Sequence, residues 1–242
     1  MARILNNAPN NTIAGLADRI KTELALKLGL LVILYPLVFL PYFFLQRHHF
    51  FPATTISSGW FDRLIPFSDQ AVWPYFSIYL LLPVGPLFMD RRYQLLHYAA
   101  GVALLSLIAD LIFLCWPTAC PRPHVAGVNT VYGLLIAVDS SFNAFPSLHA
   151  AFAVYSALCA GLVLRELGSH RVWRLGIWFW AFLILYATLA TRQHVVVDVI
   201  AGSVIGAAAY ATVLAPRISI FKNQMPLQAV AIDLNQPPSN IK

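Results

Sequence analysis

The chain has 242 residues, of which 59% are hydrophobic and only 11% charged, and its mean hydropathy is +0.69. A soluble domain carries roughly 25% charged residues, so this composition excludes an ordinary water-soluble globular protein. The formal net charge of +6 does not indicate nucleic acid, because the basic residues sit in short clusters between apolar runs, as membrane topology requires.

The first 23 residues are polar, with Asn6, Asn7, Asn10 and Asn11. They lack the short apolar core and small-residue cleavage site of a secretory leader, so the first apolar run is expected to act as its own insertion signal. Six apolar runs follow, at 24–45, 72–89, 98–116, 145–164, 175–189 and 195–214. A membrane helix needs about 20 mostly apolar residues, so the expected fold is all-α: a polytopic bundle of about six transmembrane helices. Three segments are expected: a cytoplasmic N-terminal stretch (1–23), a membrane catalytic domain (24–214) and a flexible cytoplasmic tail (215–242). With both termini and the loops after the second and fourth spans inside, 12 of the Lys and Arg residues fall on the cytoplasmic side and 4 on the other. The positive-inside rule therefore supports this orientation. A Pro-rich loop joins the third and fourth spans.

Polar residues of chemical interest converge on the non-cytoplasmic side. His194 and Asp198 are spaced i, i+4, which puts them on one helix face. The carboxylate could fix the imidazole tautomer and free the other nitrogen as a nucleophile or base; equally, the pair could merely anchor a helix end. Ser147 and His149 open the fourth span behind Pro146, a residue suited to a helix's first turn. A phosphate at that helix start and an acidic His149 are one reading, and an N-cap serine beside an interfacial histidine is the other. Arg122, between Pro121 and Pro123, suits bidentate phosphate binding on a stiffened loop, or contact with lipid phosphates. Arg192 invites the same two readings, and His124 a weaker one. Asp110, inside the third run, either lines a headgroup path or bonds a neighbouring helix. Gly202, Gly206 and Ala207–Ala209 give the sixth span a small-residue face for close packing. Cys159 reads as a small core residue, and Cys115 and Cys120 could pair if their loop faces an oxidising compartment.

Taken in order, Arg122 beside Pro123, Pro146-Ser147-x-His149 and His194-x-x-x-Asp198 resemble the type 2 phosphatidic acid phosphatase superfamily. The motifs run from Cys120 to about Gly206, and the six-span layout extends the likeness over most of the chain. The resemblance implies a phosphohistidine at His194 oriented by Asp198, with His149 protonating the leaving alkoxide. It also implies phosphate binding by Arg122 and Ser147, and no metal or other cofactor. Three positions depart from the family pattern. Cys115 stands where the first motif has Lys, Leu148 where the second has Gly, and Thr188 where the third has Arg; Arg192 is the candidate replacement for that missing charge. With Asp62-Arg63-Leu64-Ile65-Pro66-Phe67 and Val72-Trp73-Pro74-Tyr75, the departures resemble the inositol phosphorylceramide synthase and sphingomyelin synthase branch. There the phosphoryl-linked group passes to a lipid hydroxyl or a sugar alcohol in place of water. The implied substrate is a phospholipid, isoprenoid or sphingolipid phosphoester in the bilayer. The expected setting is a bacterial inner membrane with the site facing the periplasm. A six-span lipid transporter and a non-catalytic lipid-binding relative are the rival readings; no inverted repeat of the transporter kind is evident.

Overall fold

The computed structural model describes residues 10–122 and 127–214. Pro123, His124 and the expected tail from 215 lie outside the described residues. Among the described residues six helices are long and apolar enough to cross a membrane, so the all-α expectation holds.

Helix α1 (Asn10–Lys21) was not expected from its polar sequence. Glu23, with a positive φ of 54°, turns the chain into α2 (Leu24–Arg47), the first span. Arg19 fixes this corner to the far end of the second span, donating to the Phe88 carbonyl at 3.3 Å and pairing with Asp90 at 3.1 Å. Lys27 adds bonds to the Arg19 and Leu87 carbonyls, at 2.6 and 2.9 Å.

After β1 (Thr54–Thr55) and the short α3 (Trp60–Leu64), the second span is broken into α4 (Val72–Phe76), α5 (Ile78–Leu81) and α6 (Val84–Phe88). Pro74, Pro83 and Pro86 explain the breaks, because each lacks an N–H donor and displaces the preceding turn. Backbone groups freed inside a membrane need partners. Ser77 donates to the Pro74 carbonyl at 2.6 Å and accepts from the Trp180 indole at 2.8 Å, and Tyr98 donates to the Leu82 carbonyl at 3.0 Å.

The third span, α7 (Arg92–Cys115), starts six residues before its apolar run. Its polar first turns are used: fully buried Gln94 donates to Glu166 at the end of the fourth span, at 3.0 Å. A two-residue strand, β2 (Thr118–Ala119), pairs parallel with β1, and Ala119 bridges to Phe142. The loop expected between spans three and four carries a further helix, α8 (Thr130–Val138). Asn129 caps it, accepting from the Tyr132 amide at 2.8 Å. The helix lies at the loop end of the bundle, with Leu134 and Val138 exposed.

The fourth span, α9 (Leu148–Glu166), is the centre of the bundle: 72% of its apolar window is buried, against 6% for α2. Pro146 lies outside it, joined to Phe145 by a cis peptide, and Ser147 is the N-cap. The expectation of Pro146 in the first turn is thereby corrected. α10 (Arg171–Ala190) and α11 (Val196–Ala209), extended by a π-helical turn at Tyr210–Leu214, complete the bundle. Gly202 and Gly206 decide how α11 meets α9. A Cβ on Gly202 would overlap the Ser147 carbonyl oxygen, and one on Gly206 would overlap that of Ala151. The two backbones therefore touch, the small-residue packing expected for membrane helices.

Candidate active site

That backbone contact brings the chemistry together. The Ser147 amide donates to the Asp198 carbonyl at 3.0 Å, so the start of α9 is held against the first turn of α11. Ser147 is fully buried, and its hydroxyl oxygen accepts from the Ala150 amide at 3.2 Å. The hydroxyl proton is still available to a ligand.

His194 precedes α11 and is 8% exposed. Its Nδ1 lies 2.9 Å from the Ala144 carbonyl oxygen and 3.6 Å from Asp198 Oδ2. A carbonyl only accepts, so Nδ1 carries the proton and the Nε2 lone pair is free. Asp198 is fully buried at the third position of α11. Its Oδ2 accepts from the Val195 amide at 2.9 Å, capping the start of α11, and its Oδ1 is buried without a partner among the described residues.

His149 lies in the first turn of α9. Its ring stacks on Tyr75, with centroids 4.0 Å apart and planes 22° apart, and its Nδ1 is 3.2 Å from the Tyr75 hydroxyl. Nε2 of His149 is buried and has no partner among the described residues. The two imidazoles are near enough to interact electrostatically.

Arg122 is held from two sides. Its guanidinium donates to the Asp139 carbonyl, to the Ser140 carbonyl at 2.7 Å and to Oε1 of Gln193, the residue before His194. Five N–H donors serve a guanidinium. Among the described residues these three bonds leave two donors, and Arg122 Nε is buried without a partner there. Asp139 lies 3.8 Å from the same group. Its other oxygen accepts from Tyr42 at 2.9 Å and from Gln46, which ties α2 into the site.

Arg192 has a different environment. With a positive φ of 56° it turns the chain between α10 and His194. Its guanidinium donates to the carbonyls of Asp62 and Ile65, at 2.9 and 2.7 Å. Thr188, at the position of the missing family Arg, is fully buried. Its carbonyl accepts the amides of Gln193 and His194, at 3.1 and 3.2 Å.

Sequence reasoning gave no place in the site to four residues that build it. Asp62 is buried and accepts from the Gly59 and Val196 amides, both at 2.7 Å, so a carboxylate from the loop after the first span caps α11. Asp139 and Gln193 position Arg122, and Tyr75 supports His149. Of these, Asp62 and Tyr75 were visible only as parts of branch-like stretches, and Gln193 only by its place beside His194. The cysteines are free: Cys115 is exposed, while Cys120 is buried beneath the His194 loop against Ala144 and Val195. Burial, with the nearby Asp198 charge, pushes the Cys120 thiol up to about 12. The Cys115–Cys120 pairing that the sequence left open is not formed. Asp110 has one buried carboxylate oxygen without a partner among the described residues. Among the described residues no group of three or more His, Cys, Asp or Glu is arranged to hold a metal ion.

A further feature adjoins His149. A cavity of about 750 Å³, lined almost wholly by apolar side chains, runs between α2, the broken second span, α7 and the start of α9.

Six membrane-length helices, with buried His194, half-buried His149 and an arginine gathered at one end, define a polytopic membrane protein with a polar reaction site beside an apolar cavity. The PAP2 superfamily model matches residues 94–217, just over half of the chain, and the chain belongs to that superfamily. No curated protein and no solved structure matches it. Membership makes it a phosphatase-type enzyme of lipid phosphoesters.

Proposed function

We propose that the enzyme cleaves a membrane lipid phosphoester through a phosphohistidine on His194. His194 Nε2 attacks phosphorus, a P–N bond forms, the P–O bond to the lipid breaks, and His149 Nε2 delivers a proton to the departing oxygen. In the second half, His149 takes a proton from water or from an acceptor alcohol, whose oxygen displaces His194 from phosphorus. Arg122 and the Ser147 hydroxyl carry the phosphoryl oxygens, as fixed donors that need no reorganisation. Asp198 holds the first turn of α11 and stabilises the imidazolium as charge develops. Arg192, engaged by the Asp62 and Ile65 carbonyls, would serve the phosphate chiefly by fixing the loop that carries His194.

One observation carries this reading. Both imidazoles are engaged through Nδ1, His194 by Ala144 and His149 by Tyr75, which leaves Nε2 of each without a partner among the described residues. Two histidines so disposed suit a nucleophile and an acid acting on one phosphorus centre. The charge asymmetry of the loops supports a site on the non-cytoplasmic face. Metal independence follows from this chemistry, because fixed donors supply the electrostatic stabilisation. The departures at Cys115, Leu148 and Thr188 favour the synthase-like branch, in which a hydroxyl competes with water as acceptor.

The test is turnover of purified protein on a panel of lipid phosphates and phosphodiesters in the presence of chelator, with products identified by mass. Cleavage and a ³²P-labelled phosphoenzyme, both lost in His194→Ala, are expected. Unchanged turnover in His194→Ala and His149→Ala would sink the mechanism. Added inositol or diacylglycerol separates transfer from hydrolysis.

A further inference from the structure

Two short helices outside the six spans turn apolar faces outward. α8 reads TVYGLLIAV, without a charged side chain. Its Tyr132 and Leu135 pack with Val72 and Tyr75 of α4 and with Ala187 and Ala190 of α10. Its other side, with Leu134, Ile136 and Val138, is exposed. A loop helix that met water would place polar side chains there. α3 is built alike. Asp62 is its one buried residue, and Trp60, Phe61 and Leu64 are exposed to 67, 62 and 60%. The Trp60 and Phe61 rings meet edge to face, with centroids 4.9 Å apart. Exposed apolar groups gathered in this way mark contact with a membrane or a protein.

Position decides between the two. The Asp62 carboxylate accepts from the Val196 amide at 2.7 Å, so α3 sits on the end of α11. Val197, Ile200 and Val204 are exposed along that span, where the surroundings are hydrocarbon. Trp73 is likewise exposed at the start of α4, the helix that α8 packs on. Both short helices therefore continue the lipid-facing surface of the spans, at the level of the headgroup layer. Tryptophan is enriched at that level, and the exposed Arg63 can reach lipid phosphates from it.

α3 also grips the loop that carries His194, from both sides. Arg192, two residues before, donates to the Asp62 and Ile65 carbonyls, and Val196, two residues after, donates to the Asp62 carboxylate. Beneath that loop Cys120 is buried, with Sγ 3.8 Å from the Arg192 carbonyl oxygen.

We infer that α3 and α8 lie in the interfacial layer of the leaflet on the site's side of the membrane, and that α3 transmits this contact to the His194 loop. The bilayer is the partner that keeps Asp62 seated on α11. The loop is then closed in a membrane, and it loosens when Trp60 and Phe61 give up their apolar contact. This inference stands apart from the proposed reaction, and neither of its readouts uses turnover.

Both measurements use the full chain in phosphatidylcholine vesicles, with Cys115→Ser to remove the exposed thiol. Spin labels on Phe61→Cys, Leu134→Cys and Ile200→Cys are tested for relaxation by oxygen, which concentrates in hydrocarbon, and by a water-soluble nickel chelate. Labels at 61 and 134 should favour oxygen, less strongly than at 200. Preference for nickel at either position puts that helix in water and overturns the inference. Shielding from both reagents shows a protein partner or a second copy on this face, and overturns it as well. The second readout is the rate at which a water-soluble maleimide alkylates Cys120. The Trp60→Ser/Phe61→Ser double variant should raise it about tenfold, the equivalent of one large side chain losing its apolar setting. Trp60→Leu/Phe61→Leu, which stays apolar, should keep the parent rate. An unchanged rate in the serine variant, or an equal rise in the leucine variant, overturns the coupling. Cys159, buried in α9, should remain unmodified throughout; its alkylation at the rate of Cys120 means general unfolding and overturns the coupling too.

Discussion

The Ala144 carbonyl oxygen lies 2.9 Å from Nδ1 of His194, nearer than the Asp198 carboxylate at 3.6 Å. The tautomer of the proposed nucleophile is thus set by backbone. The Asp198 carboxylate, in the first turn of α11, caps the helix end through the Val195 amide.

This arrangement predicts an uneven mutational response. Where an aspartate is the direct partner of a catalytic imidazole, its replacement by asparagine can invert the tautomer and cost about 10⁴ in kcat. Here the Ala144 carbonyl remains, and the side-chain oxygen of the introduced asparagine would still accept the Val195 amide. Asp198→Asn should lower kcat by about ten- to a hundredfold and leave the phosphoenzyme detectable, whereas His194→Ala should leave none. Trapping of the phosphoenzyme in both variants decides it, and a total loss in Asp198→Asn would refute the assignment of Nδ1 to Ala144.

Tyr75→Phe keeps the ring stack on His149 and removes only the hydroxyl at Nδ1. A hydrogen bond to a charged group is worth about 1.5 kcal/mol or more, and losing the one that orients the His149 ring should lower kcat on a lipid alkyl phosphate about tenfold. An aryl phosphate, whose leaving oxygen needs little protonation, should be affected less. Measuring both esters separates a role in proton delivery from general disruption, which would slow them equally.

Gly202→Ala tests the α9–α11 contact. The added methyl overlaps the Ser147 carbonyl, which is backbone and cannot swing away. Overpacking typically costs about 1–3 kcal/mol, and separating the helices also moves His194 from His149. Both a lower unfolding temperature in detergent and loss of turnover are expected. Gly176→Ala, where a Cβ meets open space, serves as the control and should change neither.

Much of the framework was legible in the sequence. Apolar runs record helices that must satisfy their own backbone in lipid, so the six spans were readable, with ends displaced by a few residues where Arg92 or Arg171 starts a helix outside the apolar run. The i, i+4 spacing suggested His194 and Asp198 on one helix face; they do lie 3.6 Å apart, but His194 stands before α11, whose N-cap is the extended Val195, so the loop and not a helical turn brings them together. Helix α8 was hidden because its nine residues are too few for a span and sit in a loop read as Pro-rich. Arg192 looked like a free phosphate ligand because its partners, the carbonyls of Asp62 and Ile65, lie 130 and 127 residues away.

Composition, apolar period and charge act locally along the chain, and they were enough to establish six helices of membrane length and a set of phosphate-type motifs at the span ends. Which atoms meet was settled in three dimensions: Ala144 on His194 across 50 residues, Tyr75 on His149 across 74, and Asp62 on Val196 across 134. Folding also opened the apolar groove between α2 and the broken second span. Such contacts depend on how closely helix backbones approach, and at α9 and α11 two missing side chains, at Gly202 and Gly206, set that distance.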